Sequence, residues 1–352
     1  MRVLVTGVAG FIAARTTELL LQSGHEVVGV DNLNNYYDIR LKLYRLQSIL
    51  KLSGADQDIL DQVSPEREFI DSFYEPSKIK SDNFEFNLLD IESKKSVREL
   101  FEKYQFDAVL NLAARAGVRY SMIDPDVYMR TNAMGTLNLM DAMRDTGCKK
   151  MVLASTSSLY AGQPMPFSED LPVNTPISPY AASKKAAEML AYSYHHLYNL
   201  DISVVRYFTV FGPAGRPDMS IFRFIKWIDE GQPIELFGDG SQSRDFTYVD
   251  DIAKGTIEAM KPLGYEVINL GGGNNPISLN KIIEFIENSL NKTAKINHRP
   301  FHIADIKETW ADIDKAKAIL KWSPSERIFE GVQKSINWFE DNRCWASKVV
   351  LG

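Results

Sequence analysis

Cysteine is nearly absent from the sequence: Cys148 and Cys344 are the only two among 352 residues. Two cysteines cannot build the disulfide framework of a small secreted scaffold, and they lack the close spacing of a structural zinc site. His195 and His196 have no cysteine or acidic partners at ligand spacing. We therefore predict no metal site and expect the protein to work in a reducing compartment.

Long apolar runs are also lacking. No segment approaches the roughly 18 consecutive apolar residues of a membrane-spanning helix. The first apolar run, at residues 3–5, leads into glycines rather than into the apolar region and cleavage site of a secretory signal. These features predict a cytoplasmic protein with no membrane partner.

The sequence has no excess of positive charge, and its formal net charge is -6. This value argues against broad electrostatic binding to nucleic acid or to an anionic membrane surface. A small anionic ligand must then be bound by a few local basic side chains. The composition is that of an ordinary globular protein, and the length suggests two domains or one large domain with an appended lobe.

Short apolar runs alternate with amphipathic helical patterns through the first 208 residues. This alternation predicts right-handed crossovers and a mostly parallel sheet with helices on both faces, which is a doubly wound α/β fold. The predicted strands are residues 3–6, 26–30, 84–88, 108–112, 151–154 and 202–207.

The pattern is less regular after residue 208. Clusters of Pro, Gly and Asp at 212–217 and 238–243 indicate ligand-facing loops. Predicted helices follow at 250–260, 279–290, 314–320 and 328–341, with a strand near 267–270. We predict a main domain over residues 1–208 and a smaller C-terminal substrate-binding lobe over 209–352, with residues of about 245–275 returning to the main domain. The charged segment 48–82 is longer than most connections and is predicted to be a surface insertion.

A glycine-rich turn, TGVAGFIA at residues 6–13, follows the first predicted strand and opens a helix. Gly7 and Gly10 permit a tight turn, and the helix N-terminus offers free N–H groups to a pyrophosphate. Asp31 ends the second strand about 20 residues further on, where a carboxylate binds ribose hydroxyls and repels a 2′-phosphate. The turn and the acid together predict a dinucleotide site that prefers NAD to NADP. A strand-to-helix turn without a ligand is the alternative interpretation.

Tyr180 and Lys184 are four residues apart near the start of a predicted helix that continues to Tyr198, so they share one helical face. A phenol with a pKa of about 10 must lose about three to four pKa units to act as a base near neutrality. A unit charge about 4 Å away is worth about 4 kcal/mol at an effective dielectric of 20. Lys184 and an oxidised nicotinamide ring would together stabilise the phenolate. Without a neighbouring dinucleotide, the same spacing is typical of a surface helix.

The two motifs, in this order, resemble the extended short-chain dehydrogenase/reductase family, and the resemblance covers nearly the whole chain except residues 48–82. It implies a Rossmann fold, NAD, and a catalytic Tyr180–Lys184 pair assisted by Thr156 in the segment STSSLY at 155–160. The cofactor contacts that the resemblance implies are Gly7, Gly10, Phe11, Ile12, Asp31, Asn32, Asn35, Tyr36, Asp90, Ile91, Leu112, Ala113, Ala114, Arg115, Asn132, Ser155, Tyr180, Lys184 and Tyr207. Two positions depart from the family pattern: Ala13 replaces the third glycine, and Arg115 replaces a frequent glutamine.

Within the family, the segments GVRYS at 117–121 and RYFTVFGPAGRPDM at 206–219 resemble the UDP-glucuronate 4-epimerases. The resemblance implies a UDP-hexuronic acid substrate and a homodimer formed through helices of about 126–147 and 180–198. Hydroxyl or guanidinium groups suit the additional carboxylate of such a substrate. The implied substrate contacts are Arg119, Ser121, Thr156, Ser157, Ser158, Thr209, Arg216, Met219, Arg244 and Asp305. The sequence does not divide carboxylate and diphosphate between Arg119 and Arg216.

The implied reaction inverts the C4 hydroxyl of the sugar. Tyr180, assisted by Thr156, removes the hydroxyl proton while C4 gives hydride to NAD, and the 4-keto sugar then turns and is reduced on its other face. UDP-glucuronate decarboxylase is the nearest alternative, although members with that activity carry Glu at the position of Ser158. UDP-galactose and UDP-N-acetylhexosaminuronate 4-epimerases are further alternatives, and a non-catalytic NAD-binding regulator is the alternative from another class.

Overall fold

The computed structural model describes residues 1–54, 80–273, 276–301 and 306–351. Its strands are β1 (Arg2–Thr6), β2 (Glu26–Asp31), β3 (Phe84–Leu88), β4 (Ala108–Asn111), β5 (Lys150–Thr156), β6 (Asp201–Tyr207), β7 (Thr209–Phe211), β8 (Pro233–Phe237), β9 (Ser243–Arg244), β10 (Phe246–Tyr248), β11 (Tyr265–Leu270), β12 (Ile277–Ser278) and β13 (Lys295–Arg299).

The helices follow the same chain order. They are α1 (Phe11–Gln22), α2 (Ile39–Leu52), α3 (Lys94–Lys103), α4 (Pro125–Tyr128), α5 (Gly135–Thr146), α6 (Pro179–Tyr198), α7 (Ser220–Asp229), α8 (Val249–Glu258), α9 (Leu279–Leu290), α10 (Asp314–Leu320), α11 (Ile328–Asp341) and α12 (Arg343–Ala346). A π-helical segment, Met129–Met134, joins α4 to α5, and short 3-10 turns lie at Tyr120–Met122 and Ser157–Tyr160.

Seven strands form one sheet in the order β11-β6-β5-β4-β1-β2-β3, and every neighbouring pair is parallel. The strand order reverses between β1 and β4, and ligands of such sheets bind beyond the carboxyl ends of the strands at that point. The predicted doubly wound fold is confirmed. The predicted strands and C-terminal helices match the observed bounds within two residues at each end.

The sheet is covered on both faces, which explains the continuous apolar runs in its strands. All seven residues of β5 are buried. On one face, Val5, Val152 and Leu20 of α1 belong to a core cluster that also includes residues of α2. On the other face, residues of α3, α5 and α6 pack around Leu4 and Val109.

The segments after β6 divide between the sheet and a smaller group of elements. β11 pairs with β6 and extends the main sheet. Helices α7, α9 and α11 share a third core cluster, which contains Phe222, Ile225, Ile282, Ile286 and Phe339. β8 and β13 form a separate parallel pair at the edge of this group.

Helix α2 continues to Leu52, so the expectation of a surface insertion beginning at residue 48 is wrong at its N-terminal end. Leu46, Ile49 and Leu50 continue the helical period and are completely buried in the core. Residues 55–79, which form most of the predicted insertion, lie outside the described residues. Within the described ranges, no helix has the length and apolar content needed to cross a membrane.

Candidate active site

The turn after β1 packs directly against the end of β4. Gly7 has a φ of 68°, and its carbonyl accepts a hydrogen bond from the N–H of Gly10 at 2.7 Å. A Cβ atom on Gly7 would lie 2.8 Å from the Cα of Ala113, so a side chain does not fit there. The turn therefore needs glycine both for its conformation and for its close approach to the neighbouring strand.

A cleft of about 90 Å³ opens beside this turn at the ends of β1 and β2. Asp31 accepts hydrogen bonds from the N–H of Leu33 at 2.8 Å and from Nζ of Lys42 at 3.3 Å. Asn32 donates to the carboxylate of Asp90 at 2.8 Å. The other predicted cofactor contacts that line this cleft are Gly7, Gly10, Tyr36, Ile91, Leu112, Ala113, Ala114 and Arg115. A buried carboxylate beside a glycine turn fits the ribose and pyrophosphate of a dinucleotide.

A larger cleft of about 330 Å³ continues from the first, and Gly7, Gly10 and Tyr36 line both. It lies where the loops after β1, β4, β5 and β6 meet. Its lining also includes Phe11, Ile12, Ser155, Thr156, Ser157, Ser158, Tyr180, Lys184, Tyr207, Thr209, Arg216 and Met219. The structure thus brings most of the predicted catalytic, cofactor and substrate residues to one crevice.

Tyr180 lies in the first turn of α6, which Ser178 caps by accepting the N–H of Ala181 at 3.2 Å. Burial raises the pKa of Tyr180, whereas the nearby hydroxyl of Thr156 and the positive charge of Arg216 lower it, and the net change is upward. The phenol therefore needs a further positive charge in the cleft before it can act as a base near neutral pH.

Lys184 is one turn further along α6 and points into the core of the site. Its Nζ donates to the carbonyl of Ala154 at 2.8 Å. Burial lowers the pKa of Lys184 to about 8, and the nearby carboxylate of Glu188 opposes that change. The sequence predicted that Lys184 is the cation that stabilises the phenolate. Among the side chains that the structure describes, the positive charge that lowers the pKa of Tyr180 is that of Arg216.

A buried ion pair joins α6 to β6. The guanidinium of Arg206 on β6 binds both carboxylate oxygens of Glu188, at 2.9 and 2.8 Å, and donates to the hydroxyl of Tyr160 at 2.7 Å. Ser155 donates to Glu188 at 2.6 Å. The hydroxyl of Ser155, predicted as a cofactor contact, is thus bound to the ion pair, although the residue lines the larger cleft.

Arg216 lies on the loop between β7 and α7. Its Nε donates to Asp218 at 3.0 Å, and a second guanidinium nitrogen binds the other carboxylate oxygen. Burial raises the pKa of Asp218, but the positive charge and hydrogen bond of Arg216 lower it. The net pKa is lowered, so the carboxylate stays charged. The hydroxyls of Thr156 and Ser158 are 3.2 Å apart, and both residues line the same cleft as Arg216. Arg216 and these hydroxyls form a group of hydrogen-bond donors that suits an anion.

Asn132 joins the loop after β4 to α6. Its side chain accepts the N–H of Arg115 and donates to the carbonyl of Arg115, both at 2.9 Å, and it donates to Ser183 at 2.9 Å. The guanidinium of Arg115 lies 5.5 Å from the ring centroid of Tyr36 and donates to Asn34 at 3.3 Å. Asn132 therefore holds the backbone beside the smaller cleft and fixes Arg115 there.

Several predicted residues lie elsewhere in the described part of the chain. Arg119 stacks on the ring of Phe237 at 3.8 Å, and Ser121 donates to the carbonyl of Val118 at 2.6 Å. Arg244 donates to the carbonyls of Ser243 and Lys307 at 2.8 and 3.1 Å. Asn35 is exposed. None of these four lines either cleft, and Asp305 lies outside the described residues.

Sequence reasoning missed Lys42, Arg45, Tyr128, Glu188 and Asp218. Lys42 and Arg45 are charged residues one turn apart within the apolar pattern of α2, and both are buried. Charged residues are rarely buried unless they are paired, so a charge within an apolar pattern indicates a specific partner in the fold. Tyr128 packs edge-on against Tyr180 with ring centroids 6.0 Å apart, which its sequence position does not indicate.

Comparison with known proteins agrees with this geometry. Residues 3–271 match the NAD dependent epimerase/dehydratase family, and the chain belongs to that family. It is 56% identical to a UDP-glucuronate 4-epimerase of Thermodesulfobacterium geofontis over 96% of each chain. The predicted membership of the extended short-chain dehydrogenase/reductase family is confirmed.

Two solved structures are similar over nearly the whole chain. One is a tyrosine-to-phenylalanine variant of the UDP-glucuronic acid 4-epimerase from Bacillus cereus, in complex with UDP-4-deoxy-4-fluoro-glucuronic acid and NAD. It has a TM-score of 0.84 and 34% identity, and the match covers 97% of this chain and 100% of that chain. The other, UDP-glucose 4-epimerase from Thermotoga maritima with UDP-glucose, has a TM-score of 0.80 and 26% identity, with the same coverage.

Proposed function

We propose that this protein is an NAD-dependent epimerase that interconverts UDP-glucuronate and UDP-galacturonate by inverting the sugar at C4. The observation that carries the proposal is a single crevice lined by Tyr180, Thr156 and Arg216 and by the hydroxyl residues Ser157 and Ser158. Thr156 and Arg216 both lower the pKa of the Tyr180 phenol. A base and an anion-binding group at one site suit a sugar that has both a reacting hydroxyl and a carboxylate. The similarity to UDP-glucuronate 4-epimerases supports this substrate.

The residues at the two clefts suit NAD. The turn at Gly7 and Gly10 leads into the N-terminus of α1, whose free N–H groups favour a pyrophosphate. Asp31 accepts ribose hydroxyls and repels a 2′-phosphate. Tyr180 and Lys184 line the larger cleft, which continues from the cleft beside the glycine turn. When bound, NAD supplies the hydride acceptor and donor that a reversible oxidation at C4 requires.

Tyr180 and Thr156 move the proton of the reacting hydroxyl. The phenolate of Tyr180 accepts the C4 hydroxyl proton, and the nearby hydroxyl of Thr156, which lowers the pKa of the phenol, assists the transfer. After the 4-keto sugar has turned about its link to the diphosphate, Tyr180 returns the proton to the new hydroxyl. The protein ends the cycle in its starting protonation state, and the sugar has undergone no net oxidation.

Ser157, Ser158 and Thr209 hold the sugar carboxylate, with Arg216 as the nearby cation. A 4-keto uronate is a β-keto acid, and it loses carbon dioxide readily when the carboxylate is perpendicular to the carbonyl plane. Several hydroxyl donors around the carboxylate restrain that rotation and so favour epimerisation over decarboxylation. Ser158 offers a neutral donor where a Glu would supply a proton.

The assembly and location follow from the same proposal. We propose a homodimer formed through the helices at about 126–147 and 180–198. Apolar side chains on these segments are exposed in the single chain, including Met129, Met189, Tyr192 at 53% and Leu197 at 64%. We further propose a domain boundary near residue 208 and a cytoplasmic location, where the free Cys148 and Cys344 stay reduced.

The proposed function is tested by incubating the purified protein with UDP-glucuronate and following the products by NMR. UDP-galacturonate, formed without net consumption of NAD, is the expected product. A UDP-pentose with released carbon dioxide, an accumulated 4-keto sugar, or no reaction would each contradict the proposal. UDP-glucose, which lacks the carboxylate, is the matched substrate control and should turn over far more slowly.

A further inference from the structure

A buried arginine outside the proposed catalytic machinery connects the cofactor turn to the loop of Arg216. Arg45 lies on α2, one turn after Lys42, and is only 3% exposed. Its guanidinium donates five hydrogen bonds, and all of them end on neutral oxygens. The acceptors are the carbonyls of Ala9, Ala214 and Gly215 and the hydroxyl of Tyr37.

Two of these acceptors belong to the loop that carries Arg216. Nε and one terminal nitrogen of Arg45 bind the carbonyl of Ala214 at 3.1 and 2.7 Å, and the same terminal nitrogen reaches the carbonyl of Gly215 at 3.2 Å. Ala214 has a φ of 51°, which is unfavourable for a residue with a Cβ atom. Strained backbone of this kind persists only where its surroundings hold it. Arg45 supplies such support immediately before Arg216.

The remaining terminal nitrogen of Arg45 binds the cofactor turn. It donates to the carbonyl of Ala9 at 3.1 Å and to the hydroxyl of Tyr37 at 2.6 Å. Ala9 lies between Gly7 and Gly10. A guanidinium is planar and rigid, so its two terminal nitrogens cannot shift independently. The position of the turn and the position of the Arg216 loop are therefore linked through one side chain.

We infer that Arg45 is a positioning residue that couples the dinucleotide-binding turn to the Arg216 loop, so that ordering one orders the other. Coupling between two sites is reciprocal for binding. An occupied cofactor turn therefore favours the loop conformation that binds the uronate, and a bound uronate tightens the cofactor turn. The statement about the uronate depends on the proposed function, whereas the link between turn and loop does not.

The link itself is tested by hydrogen exchange of residues 212–219 in the NAD-loaded protein. The Arg45→Gln variant is compared with the wild type, and Arg40→Gln is the control because Arg40 lies on the same helix but bonds Asp38 and the carbonyl of Lys348. We expect faster exchange of the loop in Arg45→Gln, with helix α9 unchanged and the control equal to the wild type. Unchanged loop exchange in Arg45→Gln overturns the inference, as does an equal increase in α9, because the latter indicates general destabilisation.

A kinetic measurement separates positioning from a structural role. In Arg45→Gln, KM for UDP-glucuronate should rise by about tenfold or more, while the affinity for UDP alone, which has no uronate, stays within about twofold. Arg45→Lys keeps the charge but cannot reach Ala9 and Ala214 together, so it should preserve thermal stability and still show the raised KM. A parallel loss of UDP affinity and stability, or full recovery by lysine, contradicts the inference. If the wild type does not epimerise UDP-glucuronate, the proposed function fails while the exchange result still decides the link.

Discussion

Lys184 and Glu188 lie one turn apart on α6, and each is bound to one of two consecutive residues of β5. The ammonium of Lys184 donates to the carbonyl of Ala154, and the carboxylate of Glu188 accepts from the hydroxyl of Ser155. These two contacts fix α6 against β5, the strand that ends at Thr156. The same geometry sets the pKa of Lys184, which burial lowers to about 8 and Glu188 partly restores.

Replacing Lys184 by Met should raise the free energy of unfolding at neutral pH while abolishing turnover. A lysine with an ordinary pKa of about 10.4 when unfolded and a lower pKa when folded binds more protons in the unfolded state. Its burial cost is therefore fully present below about pH 8 and is relieved as the pH rises towards the unfolded value. The stabilisation by Lys184→Met is of the order of 1–3 kcal/mol at pH 7 and shrinks between pH 8 and 10.5.

Urea denaturation of wild type and variant at several pH values measures this difference. Comparing the two proteins at each pH cancels the other groups that titrate in the same window. A stability gap that is constant with pH would show that the charged form of Lys184 is not disfavoured by folding.

Replacing Glu188 by Gln should destabilise the fold strongly. Glu188 and Arg206 are 1% and 3% exposed, and removing one partner leaves the other as an uncompensated buried charge. We expect a loss of about 3 kcal/mol in the free energy of unfolding. The double variant with Arg206→Met should recover part of that loss, since it removes both charges. Glu99→Gln, in an exposed helical pair with Lys95, should change stability by less than about 0.5 kcal/mol.

Replacing Tyr180 by Phe should leave NAD bound and reduce kcat by about 10²–10⁴-fold. The phenolic oxygen is the proposed proton carrier, and the ring itself packs against Tyr128. Product formation by NMR and the NAD content of the purified protein measure the two effects. Tyr44→Phe is the matched control and should retain full activity, because its ring packs against Trp338 and Trp345 outside both clefts. An active Tyr180→Phe protein would refute the assignment.

Replacing Arg216 by Gln should weaken substrate binding and shift the pH profile. A charged hydrogen bond to a carboxylate contributes about 1.5–3 kcal/mol, so KM for UDP-glucuronate should rise by about 10–100-fold. The positive charge also lowers the pKa of Tyr180, so its removal should move the acidic limb of the kcat profile to higher pH. Steady-state kinetics between pH 6 and 9 tests both effects, and an unmoved limb would count against this role of Arg216.

Replacing Ser158 by Ala should divert part of the reaction to decarboxylation. In the proposed mechanism Ser158 donates to the sugar carboxylate, so the variant would lose one donor and the carboxylate would rotate more freely in the 4-keto stage. NMR of the products should show a UDP-pentose that the wild type does not form in comparable yield. Ser23→Ala, at the exposed end of α1, is the control. If the variant forms only the epimer at a normal rate, Ser158 does not restrain the carboxylate.

The fold was predictable because its signals are local. Strand periodicity, the glycines of the first turn and the acid at the end of β2 each act within a few residues. The choice between Arg119 and Arg216 was not local: Arg119 stacks on Phe237 from a distant segment, whereas Arg216 enters the cleft. Likewise, the hydrogen bond from Lys184 to Ala154 depends on how α6 packs against β5. Tertiary packing determines which residues these side chains contact, and the spacing of residues along the sequence does not indicate it.

The ion pair of Arg216 with Asp218 has a consequence for ligand selectivity. Since the guanidinium is already paired with a carboxylate two residues away, its attraction to a free inorganic anion is reduced. Cellular phosphate should then be a poor competitor. In the proposed substrate site a sugar acid would gain in addition from several neutral hydroxyl donors, so the shape and hydrogen-bonding pattern of the ligand would contribute to discrimination together with its charge.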